Sequence, residues 1–190
     1  MQQQQNPIDL AVLVGSVREG RFGPVVAEWL LGRLAGRDEF KVEVIDLAEF
    51  TLPATLDGSG DAADFAARID RAAAFVIVTP EYNHGYPGGL KTAIDTARVE
   101  WFAKPVAFVS YGGTAGGLRS VEQLKPVFAE LNAVAVRHTV SFHWAEDQFD
   151  ERGTLREPER ANRAADELLK QLSWWANALR AAREERTFGG

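Results

Sequence analysis

Short apolar runs rich in β-branched residues alternate with longer amphipathic segments along most of the chain, and this alternation constrains the fold more than any other feature. The apolar runs predict strands over residues 8–14, 41–46, 74–79, 105–110 and 133–142. The amphipathic segments predict helices over residues 25–34, 61–73, 90–99, 118–131 and 158–185. Because a crossover helix must join each pair of parallel strands, the pattern predicts a parallel sheet covered by helices on both faces.

The expected fold class is therefore α/β, a flavodoxin-like three-layer sandwich around a five-stranded parallel sheet of order 2-1-3-4-5. Five strands favour this order over the six-stranded dinucleotide-binding order. Residues 41–46 alternate in polarity, which is typical of a strand nearer the sheet edge. Residues 141–158 are rich in charge and are predicted to form a loop. Helical spacing predicts one apolar stripe on the last helix, formed by Leu168, Leu172, Trp175 and Leu179.

The length of 190 residues and the hydrophobic fraction of 46% are those of one ordinary globular domain. We place it at residues 8–186, between a disordered N-terminal tail (1–7) and a C-terminal tail (187–190). The sequence MQQQQN at the start lacks the charged and apolar regions of a signal peptide. No apolar run approaches the roughly 20 residues of a membrane span. A cytoplasmic protein without a membrane partner is expected.

The formal net charge of −6 gives no overall attraction to nucleic acid, so any anionic ligand must be held by local groups. The sequence contains no cysteine, which excludes disulfides, thiolate zinc sites, iron–sulfur clusters and a cysteine nucleophile. Redox chemistry would therefore need a bound cofactor. Neither His138 nor His143 has a partner at ligand spacing, so no metal site is predicted.

The loops that follow the first, third and fourth predicted strands carry the unusual chemistry. These strands are neighbours in the order 2-1-3-4-5, so their loops meet at one carboxyl edge, where open α/β sheets bind ligands. The loop after the third strand reads TPEYNHGYPGGLK at residues 79–91. Its prolines restrict the backbone, its glycines permit close approach, and its Tyr, Asn and His side chains offer flat or hydrogen-bonding surfaces. It predicts a site for a flat ring with polar edges. The alternative is a capped loop whose tyrosines pack in the core or against another subunit.

The loop after the first strand reads GSVREGRFGP at residues 15–24 and runs into a helix amino terminus. Exposed amides and the helix dipole favour an anion there, Ser16 adds a hydroxyl, and Arg18 or Arg21 can neutralise a phosphate. The Gly-Lys-Ser/Thr ending of a P-loop is missing and the glycine spacing is not that of the dinucleotide fingerprint. One terminal phosphate fits better than a pyrophosphate. The alternative is a tight turn with both arginines in solvent.

The loop after the fourth strand reads SYGGTAGG at residues 110–117 and contains four glycines, more than a turn requires. Such density suggests backbone packed against the face of a ligand. Arg119 follows at the next helix start and is a candidate for a second anion or for solvent. The nucleophile-elbow pattern is absent from the sequence and no Ser-His-Asp order stands out.

Three motifs together resemble the NADPH-dependent FMN reductase family, which includes flavodoxin-like quinone, azo-dye and chromate reductases. They are G-S-x-R-x-G at residues 15–20, P-E-Y-N-x-x-x-P-G-x-L-K-x-A-I-D at residues 80–95 and G-G-x-x-G-G-x-R at residues 112–119. The similarity spans about residues 8–140, and the second motif is the most specific. The resemblance implies FMN as the cofactor and NADPH or NADH as the co-substrate.

Carried over residue by residue, the resemblance implies three groups of flavin contacts. The FMN phosphate is held by Ser16, Arg18, Phe22 and Gly23, and Arg21 supplies a charge where family members often carry a hydroxyl. The isoalloxazine ring is lined on one side by Pro80, Glu81, Tyr82, Asn83 and His84. It is approached from another side by Ser110, Gly112 and Gly113.

The implied activity is hydride transfer from NAD(P)H to bound FMN and then to a flavin, a quinone or a similar small-molecule acceptor, in a ping-pong cycle. Hydride transfer is the cofactor's chemistry, so no side chain is assigned as catalytic. One alternative is an electron-transfer flavodoxin without nicotinamide turnover. Another is a non-enzymatic sensing domain, although Gly15–Ser16 and Pro80–Glu81 stand where a receiver domain needs its aspartates.

The resemblance also implies a homodimer or homotetramer with the flavin site near the subunit boundary. The aromatic pairs Trp101–Phe102 and Trp174–Trp175 agree with such an interface, because they are more apolar surface than one small monomer easily covers. Packing of these rings inside the monomer is the open alternative.

Overall fold

Five parallel strands form the centre of the structure, a computed structural model that describes residues 6–189. The strands are β1 (Ile8–Val14), β2 (Phe40–Asp46), β3 (Ala74–Pro80), β4 (Pro105–Gly112) and β5 (Val134–His143). Their order in the sheet is β2-β1-β3-β4-β5, which confirms the predicted topology. Each strand agrees with its predicted position to within two residues at either end.

Helices cover both faces of the sheet. They are α1 (Gly23–Leu34), α2 (Ala62–Arg71), α3 (Gly88–Thr96), α4 (Leu118–Glu130), α5 (Ala145–Gln148) and α6 (Pro158–Glu185). The helices α1 and α6 pack over one apolar cluster, and α2, α3 and α4 pack over the other. Successive side chains of a strand point to opposite faces, so Val12 and Val76 enter the first cluster while Leu13 and Ile77 enter the second.

The burial of each strand follows from its place in the sheet. The central strand β3 is buried along its whole length, as its unbroken apolar run requires for a strand with helices on both sides. The edge strand β2 alternates in polarity, and its Val42 and Val44 remain exposed. The amphipathic helix α6 buries Leu168 and Leu172 as predicted.

The third helix is shorter than predicted. It ends at Thr96, and a single 3₁₀ turn follows at Val99–Trp101. This turn carries Trp101 into the core, where its ring lies 4.6 Å from the ring of Phe75 and its indole N–H donates to the Ile94 carbonyl at 3.1 Å. Trp101 therefore packs inside the monomer, while Trp174 on α6 stays 64% exposed.

The prediction of a loop over residues 141–158 is wrong in part. Strand β5 extends to His143, the short helix α5 follows, and Phe149 pairs with Leu155 in an antiparallel bridge. The reason is that the few apolar residues of this charged segment are buried. The rings of Phe149 and Phe142 lie 5.2 Å apart in the core under α1, and their burial draws the segment onto the sheet.

Residues 1–5 and 190, which belong to the two predicted tails, lie outside the described residues. Asn6 and Pro7 precede the first strand, and the Asn6 carbonyl accepts a hydrogen bond from Arg180 at 3.0 Å. Near the other end, the ring of Phe188 packs edge-on against Phe102 at 5.8 Å. Within residues 6–189, no helix combines the length and apolar character that crossing a bilayer would need.

Candidate active site

Four loops at the carboxyl edge of the sheet enclose a cleft of about 470 Å³. Its walls are formed by residues 18–22, 80–82, 111–113 and 144–147. The first three segments follow or end β1, β3 and β4, which are neighbours in the sheet. Val14 pairs with Val78 and Val78 pairs with Val109, so the three strands end within a few residues of one another and their loops meet.

The first wall is the turn between β1 and α1. The helix begins at Gly23 without a side-chain cap from any described residue, so its amino terminus lies uncapped beside the cleft. A Cβ atom at Gly23 would lie 2.9 Å from the Tyr111 hydroxyl oxygen, so glycine alone lets the helix start this close to β4. A helix start of this kind suits an anion.

Ser16 is buried and connects the first loop to the third. Its Oγ lies 2.6 Å from the hydroxyl oxygen of Tyr82. The Arg18 guanidinium lies 5.9 Å from the centre of the Tyr82 ring, on the cleft side. Ser16 therefore positions Tyr82 and does not itself line the cleft.

The two arginines of the first loop differ in their partners. Arg21 forms an ion pair with Asp46 at the end of β2, and both side chains are mostly buried. Its charge is compensated before any ligand binds. Arg18 has no ion-pair partner within residues 6–189 and lines the cleft, so it is the cation available to an anionic ligand.

The loop after β3 closes in a two-residue turn. The amide of Tyr82 donates to the Gly85 carbonyl at 2.9 Å, and the amide of Gly85 donates back to Tyr82 at 3.1 Å. The two central residues, Asn83 and His84, have φ angles of 50° and 73°, as a type I′ turn requires. Their side chains are exposed and lie outside the cleft lining.

Glu81 stands in the wall with its charge already paired. Arg119 donates to its carboxylate twice, from Nη1 to Oε1 at 2.9 Å and from the backbone amide to Oε2 at 3.2 Å. The backbone amide of Glu81 donates to the Tyr111 carbonyl at 3.2 Å, which ties this loop to β4. In this structure Arg119 is therefore paired with a protein carboxylate.

The glycines after β4 serve two purposes. Gly112 and Gly113 line the cleft. Gly116 and Gly117 have φ angles of 58° and 83° and fold the loop back on the strand, where a Cβ at Gly117 would lie 2.6 Å from the Cβ of Ser110. The Ser110 hydroxyl donates to the Gly116 carbonyl at 2.8 Å, so it stabilises the loop from behind and does not line the cleft.

Tyr111 lines the cleft and was not among the predicted residues. Its hydroxyl is buried and has no hydrogen-bond partner among residues 6–189. Burial raises the pKa of this phenol, and the neighbouring Tyr82 raises it further, so it stays protonated and can donate. The only sign of this role in the sequence is a polar aromatic residue near the end of an otherwise apolar run.

Trp144 is the second cleft residue that sequence reasoning missed. It follows β5 directly and its backbone is left-handed, with φ at 48°. Its amide donates to the Gly113 carbonyl at 3.0 Å, and its indole lines the cleft together with Glu146 and Asp147. The predicted loop over 141–158 gave no reason to place these residues beside β4.

The cleft thus brings together eight of the predicted contacts, and five lie outside its lining. Those that line it are Arg18, Arg21, Phe22, Pro80, Glu81, Tyr82, Gly112 and Gly113. Those that do not are Ser16, Gly23, Asn83, His84 and Ser110. Their contacts with a cofactor remain predictions.

The residues present fit a flavin mononucleotide. The cleft volume lies within the range of small-molecule sites. An uncapped helix start and Arg18 suit the phosphate, while Tyr82 and the bare backbone of Gly112 suit a ring. The buried Tyr111 hydroxyl has no hydrogen-bond partner in the described part of the chain, and a ligand oxygen would supply an acceptor. Within the described chain, no group of three or more His, Asp or Glu side chains is arranged to hold a metal ion.

Comparison with known proteins agrees with this chemistry. The sequence pattern described as NADPH-dependent FMN reductase matches residues 8–147. An NAD(P)H-dependent FMN reductase of Schizosaccharomyces pombe is 37% identical over 131 residues, which cover 62% of this chain and 64% of that protein. The aligned part is thus less than two thirds of that relative's length. An FMN-dependent NADPH-azoreductase of Staphylococcus haemolyticus is 30% identical over 158 residues, covering 76% of this chain and 81% of that protein.

A quinone reductase of Escherichia coli K12 is 31% identical over 151 residues, which cover 68% of this chain and 73% of that protein. Among solved structures, the flavoenzyme NAD(P)H:(acceptor) oxidoreductase FerB from Paracoccus denitrificans superposes with a TM-score of 0.72 at 20% identity. That match covers 90% of this chain and 98% of FerB, and at such low identity it establishes the shared fold alone.

Proposed function

The chain belongs to the NADPH-dependent FMN reductase family, and on that basis we propose that it binds FMN and passes hydride from NADPH or NADH to a small-molecule acceptor such as a quinone or a flavin. The observation that carries the proposal is the meeting of the three family motifs at one cleft. Residues 15–20, 80–95 and 112–119 are far apart in the sequence and each contributes to the cleft or to its support.

The phosphate end is assigned to the first loop. Arg18 provides a positive charge that forms no ion pair with residues 6–189, and the start of α1 provides exposed amides and the positive end of the helix dipole. The protonated Tyr111 hydroxyl lies beside Gly23 at the same place and is available to donate once a ligand oxygen is present. Arg21 supports the loop through its ion pair with Asp46, which partly neutralises its charge. It would lie near the phosphate.

The ring end is assigned to the loops after β3 and β4. Tyr82 is oriented by its hydrogen bond with Ser16, and Pro80 holds the backbone beside it. Gly112 and Gly113 carry no side chain that would keep a flat ring from their backbone. Glu81 is paired with Arg119, so this part of the wall brings little net charge to the ring. When bound, the flavin itself supplies the hydride chemistry.

A single cleft serves both substrates in this proposal, so the reductant's ring and the acceptor's ring bind in turn. We therefore expect a ping-pong cycle without a protein acid or base. Initial rates measured at several fixed acceptor concentrations should give parallel double-reciprocal lines against NADPH. Intersecting lines would mean that both substrates bind together, and would contradict the shared site.

The proposal is tested by rapid anaerobic mixing of the FMN-loaded protein with excess NADPH. The expected result is bleaching of the flavin absorbance within seconds, followed by recovery when a quinone is added. NADH in a parallel experiment determines the nucleotide preference. A flavin that stays oxidised for many minutes with both nucleotides would identify an electron-transfer carrier instead.

A further inference from the structure

Trp144 holds an unusual backbone position for a large side chain. Its φ of 48° and ψ of 53° lie in the left-handed region, which bulky residues rarely adopt. Nothing in the packing of the core demands the ring there, because the residue is 59% exposed. Strained positions of this kind concentrate at functional sites.

Hydrogen bonds on both sides hold Trp144 in this conformation. Its amide donates to Gly113 at 3.0 Å, and its carbonyl accepts from the Asp147 amide at 3.0 Å. The Gln148 side chain donates to the carbonyl of the preceding residue, His143. These hydrogen bonds fix the backbone of Trp144, and burial of its side chain does not.

The indole stands at the cleft wall formed by the loop after β4. Its Cζ3 lies 3.8 Å from the point that a Cβ of Gly113 would occupy. Because Gly113 has no side chain, the indole lies directly beside glycine backbone that lines the cleft. An exposed indole in a ligand cleft offers a flat apolar surface that a second ring can cover.

The charges near Trp144 restrict which rings can approach. Glu146 and Asp147 line the same wall, are exposed, and form no ion pair with other described residues. Arg18, the cleft cation that forms no ion pair with any described residue, belongs to the first loop on another wall. An anionic ring beside Trp144 would therefore be repelled, while an uncharged or cationic ring would not.

We propose that Trp144 is the platform on which the uncharged planar ring of the second substrate stacks, and that Glu146 and Asp147 reject anionic rings. The assignment rests on the proposed flavin function, since it places this ring beside the FMN site. Both a quinone and the nicotinamide ring satisfy the required chemistry, because neither ring carries a negative charge.

Binding to the oxidised, FMN-loaded protein tests the platform without any turnover. Isothermal titration with 1,4-naphthoquinone should give about tenfold weaker binding for Trp144→Asn, since a stacking contact is lost. Asparagine tolerates the left-handed backbone, so the loop should keep its conformation. Trp144→Phe retains a ring and should restore binding to within about threefold of the native protein.

Leu56→Asn is the matched control. Leu56 is also an exposed apolar residue with a left-handed backbone, at φ 52°, and it lies in a loop that does not line the cleft. Its binding of 1,4-naphthoquinone should equal that of the native protein. Unchanged binding of both 1,4-naphthoquinone and tetrahydro-NADP in Trp144→Asn would overturn the platform, and so would equal losses in the Asn and Phe variants. Loss of FMN itself from both variants would place Trp144 in the flavin site and would also overturn the proposal.

A non-reactive nicotinamide, tetrahydro-NADP, distinguishes the two sources of the ring. Weaker binding of the quinone alone assigns Trp144 to the acceptor, weaker binding of tetrahydro-NADP alone assigns it to the reductant, and weakening of both assigns it to a shared ring position. None of these titrations needs hydride transfer. Failure of the platform and failure of the proposed activity are therefore separate results.

The charge filter is tested with 1,4-naphthoquinone and its 2-sulfonate, which differ by one negative charge. The native protein should bind the uncharged quinone more tightly, and the preference should fall severalfold in the double variant Glu146→Gln, Asp147→Asn. Added salt should reduce the preference of the native protein and have little effect on the variant. An identical preference in both proteins would contradict the filter.

Discussion

At the scale of single residues, the two arginines of the first loop were equal candidates for a phosphate contact on the sequence alone. An ion-pair partner of one of them distinguishes their roles in the structure. Arg21 is paired with Asp46, which arrives from the end of β2, whereas Arg18 faces the cleft without an ion-pair partner in the described chain. Nothing in the spacing of GSVREGRFGP distinguishes them. The distinction depends on the tertiary position of a carboxylate 25 residues away.

We expect Arg18→Ala to weaken FMN binding about tenfold to a hundredfold, because a charge-assisted contact with the phosphate is lost. Titration of the apoprotein with FMN, followed by quenching of flavin fluorescence, measures the dissociation constant. Arg71→Ala, which removes an exposed arginine paired with Glu43 at the other end of the sheet, should leave it unchanged. An Arg18→Ala protein with native FMN affinity would exclude this role.

Tyr111→Phe should have opposite effects on the apoprotein and on FMN binding. The buried hydroxyl has no protein partner among residues 6–189, so its removal should leave the apoprotein as stable or more stable, by up to about 1 kcal/mol. The same change should weaken FMN binding about fivefold, because a hydrogen-bond donor is lost. Urea unfolding of the apoprotein and FMN titration measure the two effects. Marked destabilisation of the apoprotein would show that the hydroxyl already has an acceptor.

Some predicted site residues fail to line the cleft for reasons that only tertiary structure reveals. The hydroxyl of Ser16 is hydrogen-bonded to Tyr82, and the hydroxyl of Ser110 donates to the Gly116 carbonyl. Asn83 and His84 occupy the left-handed centre of a tight turn, which directs them outward. Residue type and spacing predicted the correct loops, and hydrogen-bond partners decided which side chains within those loops face the cleft.

At the scale of secondary-structure elements, Lys104 stabilises the end of a helix from the neighbouring strand. It precedes β4, is buried, and donates from Nζ to the carbonyls of Ile69 at 3.0 Å and Asp70 at 2.7 Å in the last turn of α2. Those carbonyls have no partner within the helix, so the ammonium caps it. Burial lowers the pKa of Lys104 from 10.5 to about 8, while nearby Asp70 opposes the shift.

The lowered pKa of Lys104 predicts how stability depends on pH. Below pH 8 the group is protonated in both states and the cost of burying its charge is fully present. Between pH 8 and 10.5 the folded protein loses this proton while the unfolded chain keeps it, so the cost is relieved. The free energy of unfolding of the native protein, relative to Lys104→Met, should rise across this window by up to about 3 kcal/mol.

Urea unfolding of both proteins from pH 7 to 10.5 measures this difference. Lys170→Met is a useful control, because a hydrogen bond to Glu167 raises the pKa of the exposed Lys170 above 10.5, so the difference between the native protein and this variant should stay nearly constant from pH 7 to 10.5. A difference between native protein and Lys104→Met that stays constant with pH would contradict the buried charge.

Most elements could be predicted from the sequence because their apolar runs agree with their tertiary burial. The exceptions lie where a few apolar residues outweigh a charged neighbourhood. Burial of Phe149 and Leu155 packs the segment after β5 against the core. Through Trp144, that segment supplies the fourth wall of the cleft. The density of charge predicted a loop there, so the sequence-based prediction did not include the fourth wall of the cleft.

At the scale of the whole molecule, Trp174 is a large aromatic side chain that the monomer leaves exposed. It is 64% exposed on α6, edge-on to the partly buried Trp175 at a ring distance of 5.0 Å. Trp101, which the sequence offered as a second interface residue, is instead buried. We propose a homodimer or homotetramer that covers Trp174, since exposed aromatic rings are enriched at the centres of such interfaces.

Trp174→Glu should shift the protein toward monomer and weaken self-association by at least about tenfold, because the charge would have to be buried. Light scattering over a concentration series measures the molar mass. Thermal unfolding of the monomer should change little, since the side chain is exposed in it. An unaltered assembly in Trp174→Glu, or a native protein that is monomeric throughout, would exclude this surface.

Flavin binding at the cleft is the claim on which the proposed activity and the ring platform both depend. A crystal structure of the protein grown with FMN tests it most directly. We expect the phosphate beside Arg18 and the start of α1, and the ring between the loop of Tyr82 and the backbone of Gly112. Density for FMN at another surface, or a cleft that stays vacant at saturating FMN, would contradict it.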